Sequence, residues 1–188
     1  MSGKNSFYDE DELAGLGLKS FGENVLISRK ASIYSPERIE IGSHVRIDDF
    51  CILSGRIVLG NYIHISAYSA LYAALGIEMG DYSGLSPRVT VFSASDDFNG
   101  EFMIGPMLPH ELTNVSGGKV RIEKFVQVGA GSIVLPGLHL KEGSVTGSMS
   151  LVTRDMEEWM IYTGIPAKPY KPRSRNAKLL ANNVRVSN

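Results

Sequence analysis

The sequence predicts a left-handed parallel β-helix with a short N-terminal helix, one long inserted loop and a C-terminal tail. The main observation is a period. Ile41, Ile47, Leu53, Leu59, Ile65 and Leu71 stand six apart, as do Met79, Leu85 and Val91, then Ile122, Val128, Val134 and Leu140, with Thr146 the one polar substitute before Val152. Six is neither the helix nor the strand period. Second, a small or β-branched residue follows four positions after most of these: Val45, Cys51, Ile63, Ser69, Ser83, Val89, Ser95, Val126, Ser132, Ser144 and Ser150. Two inward positions per unit describe a short strand plus a corner. Third, coils open on one phrase, as in Arg38-Ile39-Glu40-Ile41-Gly42, Arg56-Ile57-Val58-Leu59-Gly60 and Gly76-Ile77-Glu78-Met79-Gly80. Glycine after the aliphatic suits a tight corner with an unusual backbone conformation.

Three units make one coil of a triangular prism, so positions eighteen apart stack, as Ile41 and Leu59 or Ile122 and Leu140 are spaced. Each coil buries what its neighbour leaves exposed. Prisms of six-residue repeats coil left-handed, against the usual right-handed crossover.

In chain order, residues 1–24 form an N-terminal helical cap. Ser6-Phe7-Tyr8-Asp9 reads as a capping box before Glu10, and Gly15 or Gly17 ends the helix. The β-helix then fills residues 25–170, with two interruptions. Leu59 to Met79 spans twenty positions, so two extra residues bulge near Ala73, Ala74 and Leu75. From Ser93 to Gly118 the repeat stops for a loop rich in Asp, Gly, Pro and Phe; a loop of that length inside a compact repeat is usually functional or disordered, and its aromatic and acidic residues favour an ordered functional arm. Trp159, near the end of the prism, reads as packing. Residues 171–188 form a basic tail with a short helix near Ala177 to Asn182.

Composition narrows the function. Nineteen basic and twenty acidic residues leave a formal charge of -1, so no global field favours nucleic acid or an anionic membrane, and any anion must be held locally. Lys4, Asp9, Glu10, Asp11 and Glu12 interrupt the first residues, no apolar run follows, and a cytoplasmic location with no membrane insertion is expected. Cys51 is the single cysteine and falls on a small inward position, so it reads as core.

The coils, the central loop, Val128-Gly129-Ala130-Gly131-Ser132 and Thr163-Gly164-Ile165-Pro166-Ala167-Lys168 together resemble the hexapeptide-repeat acyltransferases of the galactoside and maltose acetyltransferase branch. Within them, Leu26 to Tyr34, Arg46 to Gly55 and Ser93 to Asp97 are similar to enzymes acting on dTDP-4-amino-4,6-dideoxyglucose in surface-polysaccharide pathways. The resemblance covers nearly the whole chain. It implies acetyl-CoA as acyl donor, a sugar or nucleotide-sugar acceptor, and a homotrimer with active sites between neighbours. By position it also implies CoA contacts at Gly129, Ala130, Ser148, Thr153, Arg154, Lys168 and Lys171. Gly129 and Ser148 are equally well read as turn residues.

The resemblance implies a catalytic histidine entering the central loop, but here the chain has Ser95-Asp96-Asp97. An aspartate near its ordinary pKa of about 3.9 is a poor base for a sugar hydroxyl. A neutral sugar amine is already nucleophilic and only sheds a proton after attack, so the substitution favours N- over O-acetylation. Asp96 and Asp97 are catalytic candidates, their alternative being an acidic turn before Asn99-Gly100. His64 is a third candidate; preceding the inward Ile65, it points outward between Arg46 and Gly84 in adjacent coils, as a reactive group or a stacking one. Ser66, Tyr68 and Tyr72 near the bulge, with Phe98 and His110 in the loop, are candidates for binding the acceptor. His44 and His139 have no assigned role. His44 and His64 occupy different corners, so no zinc site is expected. A non-catalytic binding β-helix is the remaining alternative.

Overall fold

The computed structural model describes residues 6–184. Its strands stack in three parallel ladders, one per prism face. The first face carries Ser20–Phe21, Ile39–Ile41, the later halves of Ile52–Leu59 and Ala70–Met79, Val120–Ile122 and His139–Leu140. The second carries Leu26–Ile27, Val45–Ile47, Ile63–Ile65, Gly84–Leu85, Gln127–Val128, Val145–Thr146 and Met160–Thr163. Ser32–Tyr34, the earlier halves of the two long strands, Thr90–Phe92, Ile133–Val134 and Leu151–Val152 make the third. Ile41 faces Leu59 and Ile122 faces Leu140, as the eighteen-residue spacing requires. Between Gly55 and Ile57 the register shifts, and Ala74 to Gly76 absorb the two extra residues opposite Arg56.

The period-six side chains form the core: Ile47, Leu53, Ile65, Leu71, Leu85, Val91, Val128, Val134 and Leu140 are wholly buried. Each such burial contributes about 1.5–3 kcal/mol. Inward serines donate to nearby carbonyls, Ser83 Oγ to Gly80 O at 2.7 Å and Ser150 Oγ to Gly147 O at 2.9 Å, whereas the buried Ser144 Oγ has no hydrogen-bond partner among the described residues. Ser95 departs from the expected pattern. The chain leaves the prism at Ser93, which is wholly buried, and Ser95 is only half-buried in a strand Ala94–Ser95 paired antiparallel with Ser116–Gly117.

The corner glycines also differ from expectation. Gly42, Gly60 and Gly80 do not adopt the left-handed conformation. They are glycine because the coils approach too closely for a side chain: a Cβ on Gly42 would lie 2.4 Å from Gly60 O. The left-handed residues stand two positions later, at His44, Tyr62 and Tyr82, with Phe125 and Trp159 in the same column. That backbone costs roughly 1–2 kcal/mol per residue. Ring stacking offsets it: centroids are 4.6 Å apart for His44–Tyr62, 4.9 Å for Tyr62–Tyr82 and 5.2 Å for Tyr82–Phe125.

Both prism ends are covered. The N-terminal helix is Glu10–Gly15, and its capping box is Asp9 with Glu12, three residues later than expected. Phe7 bridges Ser28 and Tyr8 N–H donates to Ile27 O at 2.9 Å, so the chain there is extended and cannot begin a helix. At the other end Lys168–Pro172 turns back antiparallel on Met160–Thr163, crossing residue 171, and the helix Asn176–Val184 follows, broader than Ala177 to Asn182. Among the described residues no helix is long and apolar enough to cross a membrane.

Candidate active site

The inserted loop begins where Ser93 N–H donates to Tyr72 O at 3.0 Å and Ser93 Oγ accepts from Leu75 N–H at 2.9 Å. Beyond the ribbon, the two adjacent aspartates have different surroundings. Asp97 accepts backbone N–H groups from Asn99 at 2.9 Å, Glu101 at 3.1 Å and Phe102 at 3.0 Å, so both its oxygens organise the turn. The Asp96 carboxylate has no hydrogen-bond or ion-pair partner among the described residues. It borders a cavity of about 290 Å³ lined by Phe92, Ala94, Ser95, Phe98, Leu135 and Pro136. Phe98 is 81% exposed, and His110 lies farther along the loop in the exposed turn His110–Leu112.

A second group of candidates stands at the corner after the second face. Asp48, Ser66, Ser86 and Gly129 follow successive rungs; Ser66 N–H donates to Leu85 O and Ser86 N–H to Val128 O, both at 2.9 Å. His64 faces outward between Arg46 and Gly84, as its position predicts. Its Nε2 lies 2.7 Å from Asp48 Oδ2, while Arg46 Nε lies 2.7 Å from Asp48 Oδ1. Burial pushes the Asp48 carboxyl up, but hydrogen bonds from Arg46 and His64 outweigh it and hold the pKa below its ordinary value. Ser86 Oγ accepts from Gln127 Nε2 at 3.2 Å. Ser86 belongs to no motif in the sequence, yet it occupies the rung position of Ser66 one coil later.

Not every expected neighbour is brought together. Ser66 and Tyr68 share the second corner, where Tyr68 stacks on Phe50 at 4.9 Å. Tyr72 stands at the opposite end of the third face, stacked on Phe92 at 5.3 Å. The expected CoA contacts also divide. Gly129, Ala130 and Ser148 lie at the second corner, and a Cβ on Gly129 would stand 2.5 Å from Gly147 C, so close coil packing alone requires that glycine. Thr153, Arg154 and Lys168 line a cavity of about 510 Å³ at the C-terminal end of the prism. Neither Arg154 nor Lys168 has a carboxylate partner among the described residues. Lys171 lies opposite Ile161 on the second face, its Nζ over the Tyr170 ring.

A depression of about 610 Å³ on the first face is larger, and most of the charges lining it are paired, as His139 with Glu123 at 2.6 Å and Lys124 with Asp81 at 3.2 Å, Arg121 being the exception. Among the described residues no three His, Cys, Asp or Glu side chains are grouped to hold a metal ion.

No protein-family model matches the sequence. A dTDP-4-amino-4,6-dideoxy-D-glucose acyltransferase from Escherichia coli is 44% identical over 173 residues, 90% of each chain. The chain belongs to this acyltransferase family. AntD, an N-acyltransferase from Bacillus cereus solved with dTDP-4-amino-4,6-dideoxyglucose and coenzyme A, is 47% identical to the present acyltransferase. The two superpose with a TM-score of 0.95 over 98% of this chain and 100% of that one. AntD was also solved with dTDP and 3-hydroxybutyryl-CoA. The fold of the present acyltransferase is that of AntD. The acetyltransferase domain of PglB from Neisseria gonorrhoeae, 17% identical with a TM-score of 0.60 over 78% of this chain, shares the fold alone.

Proposed function

We propose that this enzyme transfers an acyl group, acetyl or a close homologue, from acyl-CoA to the amine of a dTDP-4-amino-4,6-dideoxyhexose, with Asp96 receiving the proton. The carrying observation is the unpaired Asp96 carboxylate beside a cavity at the loop base. The amine lone pair attacks the thioester carbonyl, the C–N bond forms, and the C–S bond breaks with sulfur leaving as thiolate. The surplus ammonium proton passes to Asp96 and from it to the thiolate or solvent, giving an amide and free CoA.

AntD has been solved as variants at a serine and at an aspartate ten positions further on. In this chain Ser86 and Asp96 are the one Ser–Asp pair with that spacing, which supports assigning both to the reaction. Ser86 lies before the third-face strand Thr90–Phe92 and Asp96 after it, so one chain presents them at different corners. A homotrimer would set the second corner of one copy against the third corner of the next, as a closed head-to-tail ring does. CoA would then run from the small residues Gly129, Ala130 and Ser148 to the cations Arg154 and Lys168, which answer its phosphates. Lys171 lies outside that path.

His64 carries a second reading. Oriented by the Asp48 carboxylate, its imidazole can take the proton of a sugar hydroxyl, and a relative 25% identical over 81% of this chain is named a putative lipopolysaccharide biosynthesis O-acetyl transferase. Thiol release from acyl-CoA with paired 4-amino and 4-hydroxy dTDP-6-deoxysugars separates the two; faster turnover of the hydroxyl sugar would overturn N-acylation. Sedimentation should find three chain masses, and a fully active monomer would overturn the shared site. A cytoplasmic place in surface-polysaccharide synthesis, where acyl-CoA and nucleotide sugars meet, belongs to the same proposal.

A further inference from the structure

The cavity beside Asp96 is apolar where the reaction partners are polar. Phe92, Ala94, Phe98, Leu135 and Pro136 wall it, and only Ser95 and Asp96 add polar side chains. We infer that it receives the acyl chain of the donor and that its size admits chains longer than acetyl. The inference rests on acyl transfer to an amine held at Asp96.

Attack requires the amine nitrogen within roughly 3–3.5 Å of the thioester carbonyl carbon. With the amine on the Asp96 carboxylate, the carbonyl is the next group outward, and its alkyl substituent falls into the adjoining apolar space. Pantetheine, phosphates and nucleotide are too polar to be held by such walls without unpaired groups. About 290 Å³ of largely apolar space is more than the methyl of an acetyl group fills and leaves room for further methylenes.

The walls are of two kinds. Pro136 is fixed, because the returning loop strand presses on it: a Cβ on Gly117 would lie 3.0 Å from Pro136 Cβ and 2.4 Å from Ser93 O. Phe98 is 81% exposed and has no place in the core, so its ring forms an outer wall that the fold does not require. Ala94 contributes only a methyl group, which leaves the space open.

The test measures kcat/KM for acetyl-, propionyl-, butyryl- and 3-hydroxybutyryl-CoA at saturating dTDP-4-amino-4,6-dideoxyglucose, and the sugar KM with each donor, in wild type, Ala94→Leu and Phe98→Ala. Ala94→Leu is expected to lower the butyryl-to-acetyl ratio at least about tenfold, the scale of discrimination a methylene or two produces in an apolar pocket. Phe98→Ala, at an exposed position that leaves folding intact, should lower the same ratio by removing a wall. An unchanged ratio in both variants overturns the assignment. A rise in sugar KM common to all donors overturns it in favour of the sugar's methyl group as occupant. No thiol release with any donor in wild type would overturn acyl transfer itself, and the assignment with it.

Discussion

The indole of Trp159 occupies the place that a side chain on Gly143 would take: a Cβ built on Gly143 would stand 2.4 Å from Trp159 Cδ2. The column of corner rings thus skips one rung, and Trp159 meets Phe125 at 5.9 Å, tilted by 38°. Gly143 also has a φ of +69°, so Gly143→Ala displaces the ring and strains the backbone together. A loss of about 1–3 kcal/mol is expected. Thermal unfolding should show it as a lower Tm, and the emission of the single tryptophan should shift in the folded protein.

Asp96 and Asp97 should separate cleanly on mutation. Asp96→Asn is expected to lower kcat about a hundredfold or more, the low end of general-base contributions, with acyl-CoA binding retained. Raising the pH should partly restore it, because solution then supplies the neutral amine. Asp97→Ala removes the acceptor of three loop N–H groups and should make residues 93–118 more sensitive to limited proteolysis, which Asp96→Asn should not. Equal proteolysis of both variants would contradict the division of labour.

Arg154 and Lys168 both line the C-terminal cavity, and Lys171 does not. Charge removal at Arg154 and Lys168 together should raise the KM for acyl-CoA at least about tenfold, as losing charge-assisted phosphate contacts does, with little effect on the sugar. Lys171→Gln should leave acyl-CoA kinetics near wild type. The reverse pattern would move the phosphates to the second face.

The N-terminal cap should be acid-sensitive. Glu12 accepts from the Arg29 guanidinium and from Asp9 N–H, which lower its pKa from 4.5 to about 2. A depressed folded-state pKa stabilises the fold above the unfolded value, and that contribution is lost as pH falls from about 4.5 towards 2. Urea unfolding at pH 5 and pH 3 should lose more stability in wild type than in Glu12→Gln, which has no such carboxylate to protonate.

The sequence makes the core legible because each inward residue is repeated every sixth position, and Ile47, Ile65, Leu85 and Val128 needed no tertiary information. The corners were harder. Left-handed backbone is usually signalled by glycine, yet here His44, Tyr62, Tyr82 and Phe125 adopt it, sustained by rings one coil away that no local pattern reveals. The glycines that do stand out, Gly42 and Gly60, answer to the distance between coils. Asp96 could be located from the end of the repeat, but its contrast with Asp97 depends on where three amide groups of a folded loop point. Ser86 looked like any serine in a turn, and only its stacking over the rung of Ser66 distinguishes it.

A ladder of parallel rungs has no natural terminus, since the last strand offers to the next copy what every strand offers its neighbour. Here the final strand, Lys168–Pro172, is folded back against the one before it and carries Pro169 and Pro172, two residues without an amide proton. At the opposite end Phe7 bridges Ser28 antiparallel ahead of the helix Glu10–Gly15, so neither end of the second-face ladder offers another copy the bare parallel edge that every inner rung offers its neighbour.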